Sequence, residues 1–206
     1  MNLWLRLAIF FLTVRFRSRC SVLGPTVINF RVLPSDLDLL GHMNNGKYLT
    51  ILDICRLDLV TRSGLLRELT KRRWYPVVAA QTIQFRRSLY PFKKFQVTTE
   101  VVGWDEKYFF IRHLLTANSE LVALAFIAKR FLGPREARLA PRQILNILGP
   151  TPAPPQTPPW LLRWLEDLSA AADNRDTFQN TDETIPTSSS AARVRCQSRS
   201  LNLTSS

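Results

Sequence analysis

One long helical run followed directly by four strand-like segments restricts the fold of this chain more than any other feature. An apolar segment runs from Leu49 to Leu66, and the two asparagines just upstream, Asn44 and Asn45, are favoured N-caps. Counted at 100° per residue from Tyr48, the residues Ile51, Leu52, Cys55, Leu59 and Leu66 share a face. Leu49 and Val60 widen that face on one side, and Ile54 and Leu65 widen it on the other. An apolar arc wider than half the circumference marks a helix buried more deeply than a surface helix. A curved sheet wrapped around it meets that requirement.

The sheet is readable downstream of the helix. Pro76–Ser88, Phe95–Trp104, Lys107–Ala117 and Glu120–Leu132 read as successive strands. Phe95, Val97, Thr99 and Val101 alternate with Gln96, Thr98 and Glu100, the pattern of a strand with one wet face. The short polar links Asp105-Glu106 and Asn118-Ser119 make their flanking strands antiparallel hairpins. Apolar residues fill both faces of 121–128, which places the last strand centrally. Thr26–Val32, ended by Pro34, adds a first strand. The expectation is an α+β fold, a curved antiparallel five-stranded sheet around one long central helix.

The chain outside this domain divides into three stretches. Leu3–Val14 is an apolar run interrupted by Arg6 and followed by Arg15, Arg17 and Arg19. It is shorter than the roughly 20 apolar residues that span a bilayer, and arginines occupy the place of a signal-peptide cleavage site. With no acidic residue before Asp36, an organellar transit peptide stays open. Residues 1–24 therefore read either as a helix packed on its own domain or as a membrane-surface anchor. Residues 136–172 read as short helices, over 139–148 and Trp160–Ala172, around a Pro-rich linker. Residues 173–206, poor in large apolar side chains, are expected to be disordered.

At 206 residues the chain is one domain with tails. Its 28 basic and 16 acidic residues give a net charge of +12, which favours an anionic partner: nucleic acid, an anionic membrane face or the phosphates of coenzyme A. Cys20, Cys55 and Cys196 are far apart and only 2 histidines are present, which argues against a zinc site and a disulfide framework. That cysteine usage suits a reducing compartment, the cytoplasm.

The chemistry is concentrated between Leu33 and Tyr48, where Asp36, Asp38, His42, Asn44 and Asn45 precede the long helix. Free N–H groups and the positive dipole end of that helix point back toward the loop carrying Asp38. A carboxylate facing such a helix end can attack a polarised carbonyl or activate water against it.

Asp36, Asp38, Gly41, His42, Asn44 and Tyr48 stand in the pattern Asp-x-Asp-x-x-Gly-His-x-Asn-x-x-x-Tyr. This resembles the hotdog-fold acyl-CoA thioesterases of the 4-hydroxybenzoyl-CoA thioesterase branch, near the thioesterase superfamily member six group and its bacterial relatives. The likeness continues through Ile83–Phe92 and Gly103–Tyr108 and covers about residues 25–135.

The resemblance implies hydrolysis of an acyl-CoA thioester with Asp38 as nucleophile or general base. Backbone amides of Asn45 and Gly46 would polarise the carbonyl, one such donor being worth about 2.7–4 kcal/mol. His42 either orients Asp38 or a water or holds the loop, and Tyr48 is expected at the substrate. Arg86 and Arg87, with Lys93 and Lys94, are expected to receive phosphates of coenzyme A or to form a solvated rim. Asp53 is the second candidate, as a helix acid or substrate contact, unless it simply pairs with Arg56. Asp36 and the apolar-face Cys55 read as structural. No cofactor, metal or nucleic acid is implied, and a homodimer or homotetramer is. The alternative is a non-catalytic hotdog scaffold that binds acyl carriers or anionic membrane.

Overall fold

The computed structural model describes residues 3–149, 155 and 157–173. Cys196, most of the Pro-rich linker and the expected disordered tail lie outside them. In order the chain forms α1 (Leu3–Val14), β1 (Thr26–Arg31), a 3-10 turn (Pro34–Asp36), α2 (Asn45–Arg62) and α3 (Leu65–Arg72). Then come β2 (Tyr75–Phe85), β3 (Lys94–Trp104), β4 (Phe109–Ala117), β5 (Glu120–Leu132), a second 3-10 turn (Pro134–Glu136), β6 (Arg138–Leu139), α4 (Pro141–Leu145) and α5 (Pro159–Asp173). Two compact units are distinguishable, Met1–Leu165 and Glu166–Ser206, and of the second only the end of α5 is described.

The strands form one antiparallel sheet in the order β1-β3-β4-β5-β2, with the short β6 added on β5. Asn118 and Ser119 both take positive φ, 51° and 64°, as a two-residue hairpin loop that matches strand twist requires. β5 lies between β4 and β2, as its two apolar faces foretell. The sheet curls around α2, the hotdog arrangement. β6 makes it six-stranded rather than five-stranded: two residues are too few to leave a periodic signal.

One boundary differs. The helix expected to reach Leu66 stops at Arg62, because Gly64 turns the chain into the left-handed region at φ 82°. Leu66 therefore belongs to α3, where Leu65 and Leu69 carry the buried face.

α2 is enclosed from several sides. Tyr48, Ile51, Leu52 and Cys55 join Ile28, Val97, Leu115 and Ile127 in the main core. Around the helix, Ile54 meets Phe10 and Val14, so α1 packs on its own domain. The opposite face of the sheet is covered by the start of α5, whose Leu161 and Leu165 lie on Phe110 and Ala128. Among the described residues no helix is long and apolar enough to cross a membrane.

Enclosure forces the polar residues of α2 to find partners inside. Asp58 is fully buried and accepts from Arg17 and Arg62, both at 3.0 Å. Buried Arg56 lies 3.4 Å from His113 Nε2, and His113 Nδ1 is 2.8 Å from Thr99 Oγ1. A guanidinium only donates, so Nε2 accepts and Nδ1–H donates to the threonine hydroxyl. Burial first, then the charges of Arg56 and Lys129, hold the His113 imidazole well below its ordinary pKa.

Two measurements test this interior. Asp58→Ala leaves two arginines without their shared carboxylate and should cost about 3–5 kcal/mol in chemical denaturation, as removal of one partner of a buried pair does. His113 stays neutral in the folded protein, whereas an unfolded histidine takes up a proton below about pH 6.5. Its contribution is thus intact above pH 6.5 and shrinks on acidification by at most about 1.4 kcal/mol per pH unit. His113→Gln should lose that slope between pH 6.5 and 5.5, and His42→Gln, which alters the only other histidine, should keep it.

Candidate active site

The motif loop is built by its own backbone. Leu37 and Met43 form an antiparallel bridge, and the Asp38 N–H donates to His42 O at 2.9 Å. Gly41 closes the turn by donating to Asp38 O at 3.1 Å, at φ 76°, a conformation that glycine adopts without strain. The loop is pinned at its far end as well: Met43 N–H donates to Leu89 O and Asn44 N–H to Asp36 O, each at 2.8 Å.

The two aspartates of the motif face different surroundings. Asp36 is buried, its Oδ2 accepts the Leu33 N–H at 2.9 Å, and the same oxygen meets Arg6 of α1. Asp38 is partly open. Its Oδ1 accepts the Leu40 N–H at 2.9 Å, and its Oδ2 lies 3.2 Å from His42 Nδ1. The loop and the imidazole thus orient the Asp38 carboxylate, while the Asp36 carboxylate is held in place by a cation and an amide.

α2 begins where its sequence indicates, with Asn44 as N-cap accepting from Gly46 N–H at 2.9 Å. The Gly46 amide, expected to polarise a carbonyl beside that of Asn45, donates to this cap.

A groove of about 230 Å³ opens at this helix end. His42, Asn45, Tyr48, Phe85, Arg86 and Arg87 line it. Tyr48 is almost wholly buried under Phe85, with ring centroids 5.0 Å apart, and forms the floor. Burial raises its phenol pKa, against the opposing effect of a backbone hydrogen bond at Leu89. The Arg86 and Arg87 N–H groups both donate to Val122 O, at 2.8 and 3.1 Å, which fixes the arginine pair at the rim. Arg87 also lies 3.2 Å from Glu120. Lys93 and Lys94 do not line the groove. Asp38 does not line the groove; it contacts His42, which does.

Asp53 pairs with Arg56, as one of its two sequence readings has it. It lies eight residues along α2 from Asn45, about 12 Å at the helical rise, with an exposed carboxylate on Arg56 and no share in the groove. Cys55 is buried core, and burial pushes its thiol pKa up. The anchoring role of Arg6 escaped the sequence reading, although a lone arginine in an apolar run was its signal. Among the described residues, no group of three His, Cys, Asp or Glu side chains is placed to hold a metal.

Chemically, the arrangement offers an oriented carboxylate in contact with an imidazole, a helix N–H with the positive end of the dipole behind it, and two guanidinium groups at the rim.

Residues 32–165, which take in the motif loop, α2, the groove and all of the sheet except β1, match the thioesterase-like superfamily. Protein THEM6 of Danio rerio is 33% identical over 153 residues, covering 73% of this chain and 74% of that protein. Among solved structures, the probable thioesterase YbaW of Escherichia coli superposes with a TM-score of 0.56 at 22% identity, over 59% of this chain and 94% of that one. The hypothetical protein SAV2348 of Staphylococcus aureus, solved in complex with CoA, gives a TM-score of 0.52 at 16% identity, over 68% and 94% of the two chains. At these identities the two structures speak for the fold. With the extent of the family match and the THEM6 relative, they lead to one assignment: the chain is a hotdog-fold member of the thioesterase-like superfamily.

Proposed function

We propose that the protein hydrolyses an acyl-CoA thioester to the free carboxylic acid and coenzyme A. The observation that carries this reading is the Asp38–His42 pair beside a groove closed by the α2 N-terminus. The thioester carbonyl oxygen accepts from the Asn45 N–H, with the helix dipole stabilising the charge that develops there. Arg86 and Arg87 at the rim take up phosphates of the coenzyme, as guanidinium groups do.

Asp38 then acts in one of two ways. As nucleophile it forms a mixed anhydride with the acyl group and expels the thiolate, and water cleaves the anhydride. As general base it takes the proton of a water that attacks the carbonyl directly. Both routes consume one water, release acid and thiol, and need no cofactor. His42 positions the carboxylate in either case.

Two surfaces complete the proposal. β2 is an edge strand exposing Tyr75, Val78 and Phe85, and open edges invite pairing. A second copy added there forms a homodimer or larger homo-oligomer beside the groove that Phe85 lines. α1 exposes Trp4, Phe11 and Leu12, and Phe16 follows in the basic segment with Arg15 and Arg19, a composition suited to an anionic membrane surface. That exposed face is what favours the second reading, a scaffold that binds acyl carriers or membrane without turnover.

Free-thiol release across acyl-CoA substrates of varied chain length and aromaticity separates the two readings. The enzyme should release thiol from some of them, whereas a folded, vesicle-binding protein inert on all of them is the scaffold. Asp38→Asn keeps size and the Leu40 contact, and should lower kcat by about 10²–10⁴-fold with little change in KM. Asp53→Asn should leave kcat near wild type, and a collapse there with Asp38→Asn active would move the chemistry onto α2. Light scattering should report at least two chains per particle, and Val78→Lys on the open edge should shift it toward monomer.

A further inference from the structure

The sheet has a second open edge besides β2. β1 ends the strand order, with β3 on one side and, among the described residues, no strand on the other. Successive residues of a strand direct their N–H and C=O groups to opposite edges. Val32, just past β1, turns both of its groups toward the β3 side: its N–H donates to Lys93 O at 3.0 Å, and its O accepts from Phe92 N–H at 2.9 Å. The register carries this alternation back through Phe30, Ile28 and Thr26, which face β3, and leaves Arg31, Asn29 and Val27 facing outward. The Arg31 carbonyl agrees with that direction, since it accepts from Arg6 of α1 at 3.4 Å.

α1 does not close this edge. It rests on α2, where Phe10 and Val14 meet Ile54, and a groove of about 230 Å³ runs between it and β1. Ile9 and Phe10 of α1 and Ile54 of α2 line one side, and Ile28 and Phe30 line the other. Arg6, Arg17 and Arg31 border it as well. The first two are engaged by Asp36 and Asp58, whereas the exposed Arg31 makes no ion pair among the described residues. An apolar slot beside an unpaired strand edge takes the alternate side chains of an added strand, and the unmatched guanidinium selects an acidic one. A second copy of this chain would bring another Arg31 and another α1 to the same edge, and like charges on neighbouring strands repel.

We propose that an extended acidic segment of a partner protein adds to β1 as a further antiparallel strand, in the groove between that strand and α1. Its main chain pairs with the outward N–H and C=O groups of Val27 and Asn29 and with the Arg31 N–H. Apolar residues at alternate positions turn inward to Ile9, Phe10 and Ile54, and the acidic residues between them lie outside, beside Arg31. The site is on the opposite edge of the sheet from β2. It does not depend on the proposed hydrolysis, and its test does not use it.

The probe is a fluorescent synthetic peptide, Thr-Val-Glu-Ile-Glu-Val-Thr, titrated with the full chain and read by anisotropy. The same peptide N-methylated at its two glutamates keeps every side chain but cannot form the ladder, and should bind about tenfold more weakly or worse. In hydrogen exchange the bound peptide should slow the amides of Val27, Asn29 and Arg31, since those of Thr26, Ile28 and Phe30 already face β3. Asn29→Pro removes one outward donor and spares the pairing with β3, a change that an edge strand tolerates, and should weaken binding to a similar degree. Arg31→Glu should weaken it too, and a peptide with lysines in place of its glutamates should bind that variant better than wild type. Absence of binding, equal binding of the N-methylated peptide, undiminished binding by folded Asn29→Pro, or failure of the charge exchange would each overturn the assignment. So would conversion of a wild-type oligomer to monomer by Asn29→Pro, which would give this edge to a second copy. Should Asn29→Pro not fold, the N-methylated peptide and the charge exchange decide.

Discussion

Enclosure of α2 is the constraint from which most of the interior follows. A helix wrapped by a sheet, capped by α3 and flanked by α1 has almost no wet side, yet its sequence carries Arg56, Asp58 and Arg62. Each must be neutralised where it stands, because solvent is out of reach. Asp58 receives two arginines, one from its own helix and one from the segment after α1. Arg56 pairs with Asp53 and also donates to the neutral imidazole of β4, which in turn is satisfied by Thr99 directly across the strand pair. The apolar core gives the fold its stability, and these polar links set how the layers register against one another.

The motif loop repeats the same logic at smaller scale. Two carboxylates two residues apart are driven into unlike environments by the turn between them. The one that points inward is consumed by structure, and the one at the turn keeps a partly open face beside the groove. The backbone of the loop is satisfied almost entirely within itself and by Leu89. Its shape therefore does not wait on a ligand, which is the preorganisation that charge stabilisation at a helix end requires.

The architecture was legible in the residues because period and punctuation agree there. Alternation marked β3, apolar faces marked β5, and the Asn44-Asn45 pair marked the start of α2. What stayed hidden was tertiary. Gly64, a common stop signal just past a helix end, was passed over, and its left-handed conformation moved Leu66 to α3. A cap at Asn44 or Asn45 was foreseen, but the choice of Asn44 and its side chain's hold on the Gly46 amide show only in three dimensions. Asp53 looked half-buried from helical phase, and it is Arg56 that went inside while the acid stayed out. Partners far apart in the chain, Arg6 with Asp36 and Arg17 with Asp58, left no spacing to read.

Those two distant pairs tie the N-terminal segment to the rest of the domain. The family match begins at residue 32, after both arginines. A fragment cut at that boundary would keep the motif, the helix and most of the sheet, yet leave Asp36 without its cation and Asp58 with only one of its two. It would also uncover Ile54, on which Phe10 and Val14 rest. The interior of this protein thus extends beyond the stretch that matches the family model, and its first helix contributes side chains to it.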